Sequence, residues 1–194
     1  IIAADCTGHG VPGAFMSMLG VTMLNEIVNG KGIISPDEIL NMLRDEIIKS
    51  LKQSIDEDHV KDGMDMAVSL IDYKNDKVQF AGANNPLCIV RGDRLFTLKG
   101  DKMPVSIHYN MDPFKLQEFD LEKGDCLYMF SDGFGDQFGG PAGKKFMTKK
   151  LKTKFMELSN LPMIEQGKIL GEIFEEWKGD TPQIDDVAII GIRY

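Results

Sequence analysis

Ala3-Ala4-Asp5-Cys6-Thr7-Gly8-His9-Gly10 sets a carboxylate at the end of an apolar run and follows it with a glycine-rich bend. Pro12-Gly13-Ala14-Phe15-Met16 then opens a stretch over 12–28 that reads as a long helix. A strand end carrying Asp5, beside a backbone loose enough to turn its carbonyls inward, suits a hard divalent cation that takes oxygen ligands. Turn chemistry is the plain alternative, because an Asp before Gly often only caps local amides. Gly8-His9-Gly10-Val11-Pro12-Gly13 also fits the letter of the dinucleotide fingerprint. Asp5 would set negative charge close to a pyrophosphate, and Pro12 removes a backbone donor from the loop that should cradle it. The repeating strand–helix–strand pattern of that fold is missing downstream. The context rejects nucleotide binding.

Working outward, residues 12–28 are apolar nearly all round, which predicts a helix covered on more than one side. Ala14, Ser17 and Gly20 recur at three-residue spacing and predict close packing on a sheet. Ser35-Pro36 is a helix start, and Glu38 completes a capping box. Leu40, Leu43, Ile47 and Leu51 then form an amphipathic stripe. From Met64 the period falls to two. Strands follow at Met64–Ile71, Val78–Gly82, Pro86–Val90, Leu95–Leu98, Leu116–Leu121 and Cys126–Ser131, with short turns that imply antiparallel pairing. Residues 144–158 and 162–178 read as helices, and Val187-Ala188-Ile189-Ile190 as a closing strand. This order gives an α+β layered sandwich.

The 194 residues are 43% hydrophobic, enough for a sizeable core. A net charge of -8 argues against nucleic acid or an anionic membrane surface as the main partner. Cys6, Cys88 and Cys126 form no CxxC pair, so neither a disulfide framework nor a thiolate zinc site is indicated, and a reducing cytoplasm fits best. No apolar stretch reads as approaching membrane-spanning length, and no signal peptide is visible.

Two further acidic positions sit at strand edges: Asp132 in Ser131-Asp132-Gly133, and Asp185-Asp186 before the last strand. If that strand runs antiparallel, Asp5, Asp132 and Asp185 or Asp186 share one edge of the sheet. Each Asp alone reads as a solvated turn residue; their joint placement points to a metal-dependent hydrolase in which a few carboxylates hold Mg²⁺ or Mn²⁺ and a water is activated for in-line attack on phosphorus. His9 could act as a general acid or merely fix its loop. His59 and His108 have no metal-ligand spacing, and Asp62 and Asp65 read as turn acids. Lys144-Lys145 and Lys149-Lys150 mark a basic helix in an acidic chain.

At these residues the chain resembles the metal-dependent (PPM-type) serine/threonine phosphatases, specifically their bacterial SpoIIE-like branch. The motifs that carry the resemblance are Asp5-Cys6-Thr7-Gly8-His9-Gly10-Val11-Pro12-Gly13-Ala14, the Ala81–Pro86 hairpin, Ser131-Asp132-Gly133 and Asp185-Asp186-Val187. It implies an α/β/β/α sandwich of two antiparallel sheets flanked by helices, and a site with two ions. Asp5 would bridge both ions, the Cys6 carbonyl would bind one, and Asp132 with Asp185 would hold the other. Asp186 is the alternative to Asp185. The implied reaction is hydrolysis of phosphoserine or phosphothreonine on a phosphorylated regulatory protein, such as an anti-sigma-factor antagonist, by metal-activated water without a covalent intermediate. An upstream sensor or dimerisation region would control it. The second reading is a non-catalytic partner-binding module of the same fold.

Three features depart from the family pattern. Asn84 stands where many relatives have His, and Ser106 where glycine is usual. A further metal-binding acid is expected on a strand ahead of the first motif. Residues 1–194 are therefore expected to be a single phosphatase domain lacking its first strands, and when alone to bind metal weakly and have little phosphatase activity.

Overall fold

The computed structural model describes residues 1–8, 10–53 and 62–194, so His9 and His59 lie outside the described residues. The chain packs as two compact units, residues 1–86 with 99–120 and residues 87–98 with 121–194. In the first unit, β1 (Ile2–Cys6), β2 (Met64–Asp72), β3 (Lys77–Ala83) and β6 (Gln117–Asp120) form an antiparallel sheet in the order β1-β2-β3-β6. Two helices cover it, α1 (Gly10–Asn25), continued by a π-helical turn over Glu26–Gly30, and α2 (Pro36–Leu51). Met64, Met66 and Val68 point to one face of β2, as alternation requires. There they meet Met16, Met23 and Ile27 from the first helix and Leu40, Leu43 and Ile47 from the second. Burying each of these large side chains stabilises the unit by about 1.5–3 kcal/mol. The β2–β3 turn is held by the Asp72 carboxylate, which accepts from the Lys74 and Asn75 amides.

The second unit has β4 (Leu87–Arg91), β5 (Arg94–Leu98), β7 (Cys126–Phe130) and β10 (Ile189–Arg193) in the antiparallel order β10-β7-β4-β5. A single helical turn, α3 (Gly133–Asp136), leads to a small hairpin of β8 (Phe138–Gly139) and β9 (Lys144–Lys145). Two helices follow, α4 (Thr148–Leu158) and α5 (Met163–Lys178). Their core is aromatic: Tyr128 stacks on Phe155 at 4.2 Å between centroids, and Phe134 lies 5.0 Å from both Phe146 and Phe174. At the far end of the sheet the Arg91 guanidinium clasps buried Asp125 through both carboxylate oxygens. Asp125 in turn accepts from the Glu122 amide, so the turn before β7 is tied to the end of β4. Two antiparallel sheets, each with helices packed on it, make the expected α+β fold.

Several expectations change. The helix at 12–28 is covered on one side only among the described residues, since Val11, Phe15, Met18 and Val21 stand exposed. The small residues that pack are Gly13 and Gly20, the latter against Met64, whereas Ala14 and Ser17 face outward. With its π-helical turn this helix spans Gly10–Gly30, 21 residues that include an 18-residue stretch of mean hydropathy 1.3, long and apolar enough to cross a membrane by length and composition. That corrects the expectation that no stretch approaches such length: Asn25-Glu26 interrupts the apolar run but not the helix. Its buried residues belong to the core of the first unit.

Ser35 precedes α2 as expected, but its hydroxyl donates to Asp37 rather than forming a box with Glu38. Residues 84–86 are not a hairpin; they carry the chain from β3 in one sheet to β4 in the other. Lys144-Lys145 form a strand, and the helix begins only at Thr148, because Gly143 and Met147 adopt left-handed backbone angles that a helix excludes. Finally, Asp5 ends a strand of one sheet while Asp132 and Asp185 flank strands of the other. The three do not share an edge of a single sheet.

Candidate metal centre

In the second unit the pairing of β7 with β10 runs Cys126↔Arg193 to Phe130↔Ile189. Continuing that register past the strand ends brings Ser131–Gly133 beside Asp185–Ala188. Ser131 carries the continuation. Its amide donates to the Ala188 carbonyl at 3.0 Å, and its hydroxyl accepts from the Ala188 amide and donates to the Asp186 carbonyl, both at 3.0 Å. Gly133 then lies against the same segment so closely that a Cβ there would run into the Asp186 carbonyl oxygen. The consequence is local: carboxylate oxygens of Asp132 and Asp185 lie within 4.8 Å of each other, and both residues are exposed. Two like charges at this separation repel unless a cation or proton intervenes.

Asp185 is further oriented by its neighbours. Its Oδ1 accepts from the Asp186 amide at 2.8 Å and its carbonyl from the Gln183 side chain at 2.8 Å. Asp186 contributes its backbone to the Ser131 clasp, and the Asp185 carboxylate is the one that approaches Asp132. Among the described residues the donor set is hard oxygen, which fits Mg²⁺ or Mn²⁺.

In the first unit Asp5 is the fourth residue of β1 and sits directly opposite Asp65 in the antiparallel register. Cys6 pairs with Met64, so its carbonyl lies at the end of the ladder. Thr7 extends this ladder as Ser131 extends the other, its amide donating to the Gly63 carbonyl at 3.0 Å and its hydroxyl accepting from the Gly63 amide at 2.9 Å. The Cys6 thiol is raised by burial and packs against the first unit's core.

Asp65 is a half-buried strand residue rather than a turn acid, and Asp62 faces the Thr7 hydroxyl. Burial pushes the Asp65 carboxyl up from the ordinary carboxylate range. The Asn84 amide, donating to Asp65 Oδ1 at 2.8 Å, pulls part of the way back down. Asn84 itself has φ +58, a left-handed conformation that asparagine tolerates better than most residues. Neither the Asn84–Asp65 contact nor the Ser131 clasp follows from motif spacing. The left-handed propensity of Asn84-Asn85 before Pro86 was the one available signal. His108 is half-buried, and its ring nitrogen accepts from the Asn110 amide.

The domain model of Stage II sporulation protein E (SpoIIE) matches residues 1–194. No curated relative matches in sequence. Among solved structures the chain is similar to the SiaA-PP2C domain of Pseudomonas aeruginosa, with 28% identity and a TM-score of 0.90 over 100% of this chain and 75% of that one. It also resembles the PP2C phosphatase domain of SpoIIE from Bacillus subtilis, with 22% identity and a TM-score of 0.72 over 99% of this chain and 54% of that longer one. A structure of RsbX in complex with magnesium matches at 12% identity and a TM-score of 0.64 over 98% of this chain and 78% of that one. The last two likenesses establish the fold alone. With its whole length matched and its strand ends carrying the acidic motifs described above, the chain belongs to the SpoIIE family of PP2C-type phosphatase domains.

Proposed function

We propose that the chain is a Mg²⁺- or Mn²⁺-dependent phosphoserine/phosphothreonine protein phosphatase that acts on a phosphorylated regulatory protein in bacterial signalling. The observation that carries this reading is the Asp132–Asp185 carboxylate pair, presented by the Ser131 clasp in a chain of the SpoIIE family. Asp5 and the Cys6 carbonyl would supply the remaining ligands for two cations. Asp185 is assigned over Asp186, whose backbone is engaged by Ser131. Bound cations of this kind lower the pKa of water and withdraw charge from a phosphoryl group. The carboxylates fix where that charge sits, and the exposure of Asp132 and Asp185 leaves room for a side chain of another protein. The three unpaired cysteines favour a cytoplasmic setting.

The test is phosphate release by the full-length protein from p-nitrophenyl phosphate and from a phosphoserine peptide, with MnCl₂ and with chelator. Turnover that needs the metal and stops with chelator is expected. Absent turnover in the presence of Mn²⁺ would instead favour a non-catalytic module of this fold.

A further inference from the structure

Residues 138–154 hold six of the chain's 22 Lys and Arg residues and none of its 30 Asp and Glu residues. In a chain of net charge -8 this is a local inversion of sign. Four of the six stand at the hairpin and helix start of the second unit. Lys144 and Lys145 form β9, and Lys149 and Lys150 lie in the first turn of α4; all four are exposed. Lys145 is balanced by Asp136 at 2.8 Å, whereas Lys144 and Lys149 make no ion pair among the described residues. The Lys150 ammonium is held over aromatic faces, 3.9 Å from the Trp177 centroid and 4.6 Å from that of Phe146. Such stacking fixes a charge that would otherwise swing freely. Phe138 and Met147, both large and exposed, stand among these lysines in the chain.

This surface is tied to the Asp132 segment. The Asp136 amide donates to the Asp132 carbonyl at 2.9 Å, Met147 to Gly135 at 2.7 Å, and Phe146 to Gln137 at 3.0 Å. The hairpin and the start of α4 are therefore hydrogen-bonded to the turn that follows Asp132.

We propose that the Lys144–Lys150 surface docks an acidic stretch flanking the phosphorylated residue of a protein substrate; this rests on the phosphatase reading above. Lysines interleaved with exposed apolar side chains match a protein contact, where a charged rim surrounds a drier centre. Complementary charge of this kind chiefly sets which partner is captured and how fast. An extended polyanion such as nucleic acid would meet repulsion from the acidic remainder of the chain.

The test uses the chain in chelator, titrated with a fluorescein-labelled phosphoserine peptide flanked by glutamates, a matched peptide with glutamines in their place, and an oligothymidylate. The acidic peptide should bind about tenfold more tightly than its glutamine counterpart at low salt, and the advantage should fade as salt rises. Lys144→Glu with Lys149→Glu should abolish that preference, and Lys144→Arg with Lys149→Arg should keep it. Hydrolysis of p-nitrophenyl phosphate with Mn²⁺ should be the same in all three proteins. Equal affinity for the two peptides, indifference to the charge reversal, or tighter binding of the oligothymidylate overturns the docking surface. Failure of the wild-type full-length protein to hydrolyse p-nitrophenyl phosphate overturns the phosphatase reading on which the substrate assignment rests, and is seen separately from peptide binding.

Discussion

Thr7 and Ser131 have the same task at two strand ends. Each uses a hydroxyl to prolong an antiparallel ladder by one step, and each lies within two residues of an acid, Asp5 or Asp132. A hydroxyl can accept from one amide and donate to a carbonyl at once, so it closes a ladder without leaving a buried polar group unpaired. Asp132 is held by such a clasp beside Asp185, and its contribution is charge rather than packing. Asp132→Asn is therefore expected to lower Mn²⁺-dependent turnover by about 100-fold or more. Its melting temperature in chelator should hold or rise, because the change relieves repulsion from Asp185. Steady-state kinetics and thermal unfolding on one preparation check both halves, and turnover near the wild-type rate would remove Asp132 from the mechanism. Gly133→Ala tests the clasp without touching a charge. The added methyl displaces the Asp185-Asp186 segment, so a loss of about 1–3 kcal/mol in denaturant unfolding is expected, together with weaker Mn²⁺ binding. The acids themselves were legible in the sequence because an Asp after an apolar run stands out. The hydroxyls and the Asn84–Asp65 contact were not, because their partners lie 55 or more residues away for the first two and 19 for the last.

At the scale of elements, periodicity located most strands to within a residue or two, since alternation is imposed by the pleat itself. It failed where context decides. The helix at 10–25 is apolar on every side, so no pattern in it distinguishes the face that meets Met64 and Met66 from the face bearing Phe15 and Met18. The lysines at 144–150 looked helical as a group. Gly140 and Gly143, with the left-handed Met147, turn the first pair into a strand and delay the helix to Thr148. The last long helix offers a cleaner test of local energetics. Gly167 and Gly171 lie in the interior of α5, are exposed, and have nothing within 4 Å of where a Cβ would stand. Neither close packing nor a positive φ requires glycine there. Gly171→Ala should thus stabilise the chain by about 0.5–1 kcal/mol through backbone entropy alone. Chemical denaturation should show a higher midpoint at unchanged slope, and a destabilised protein would mean that this glycine serves a contact outside the described chain.

Among the described residues, each unit has its own core cluster. Met64 and Met66 anchor one, and Tyr128 with Phe155 the other; no residue of one cluster belongs to the second. The resemblance to a family of known architecture anticipated two antiparallel sheets. The strand count alone did not separate them, because the link at 84–86 is as short as a hairpin loop. Under the proposed function Asp5, Asp132 and Asp185 would hold the cations together. Metal would then bind only when all three supply their carboxylates. Mn²⁺ at about 100 times its dissociation constant should add about 2.7 kcal/mol to unfolding for each ion bound, and chelator should remove it. Asp5→Asn and Asp132→Asn should each abolish most of that gain. Their effects should be strongly non-additive, the double variant losing little more than either single one, because a shared cation is lost only once. Calorimetric unfolding of the four proteins with and without MnCl₂ measures the coupling directly. Independent, additive losses would mean that Asp5 and Asp132 serve no common cation, and the shared site proposed here would fall.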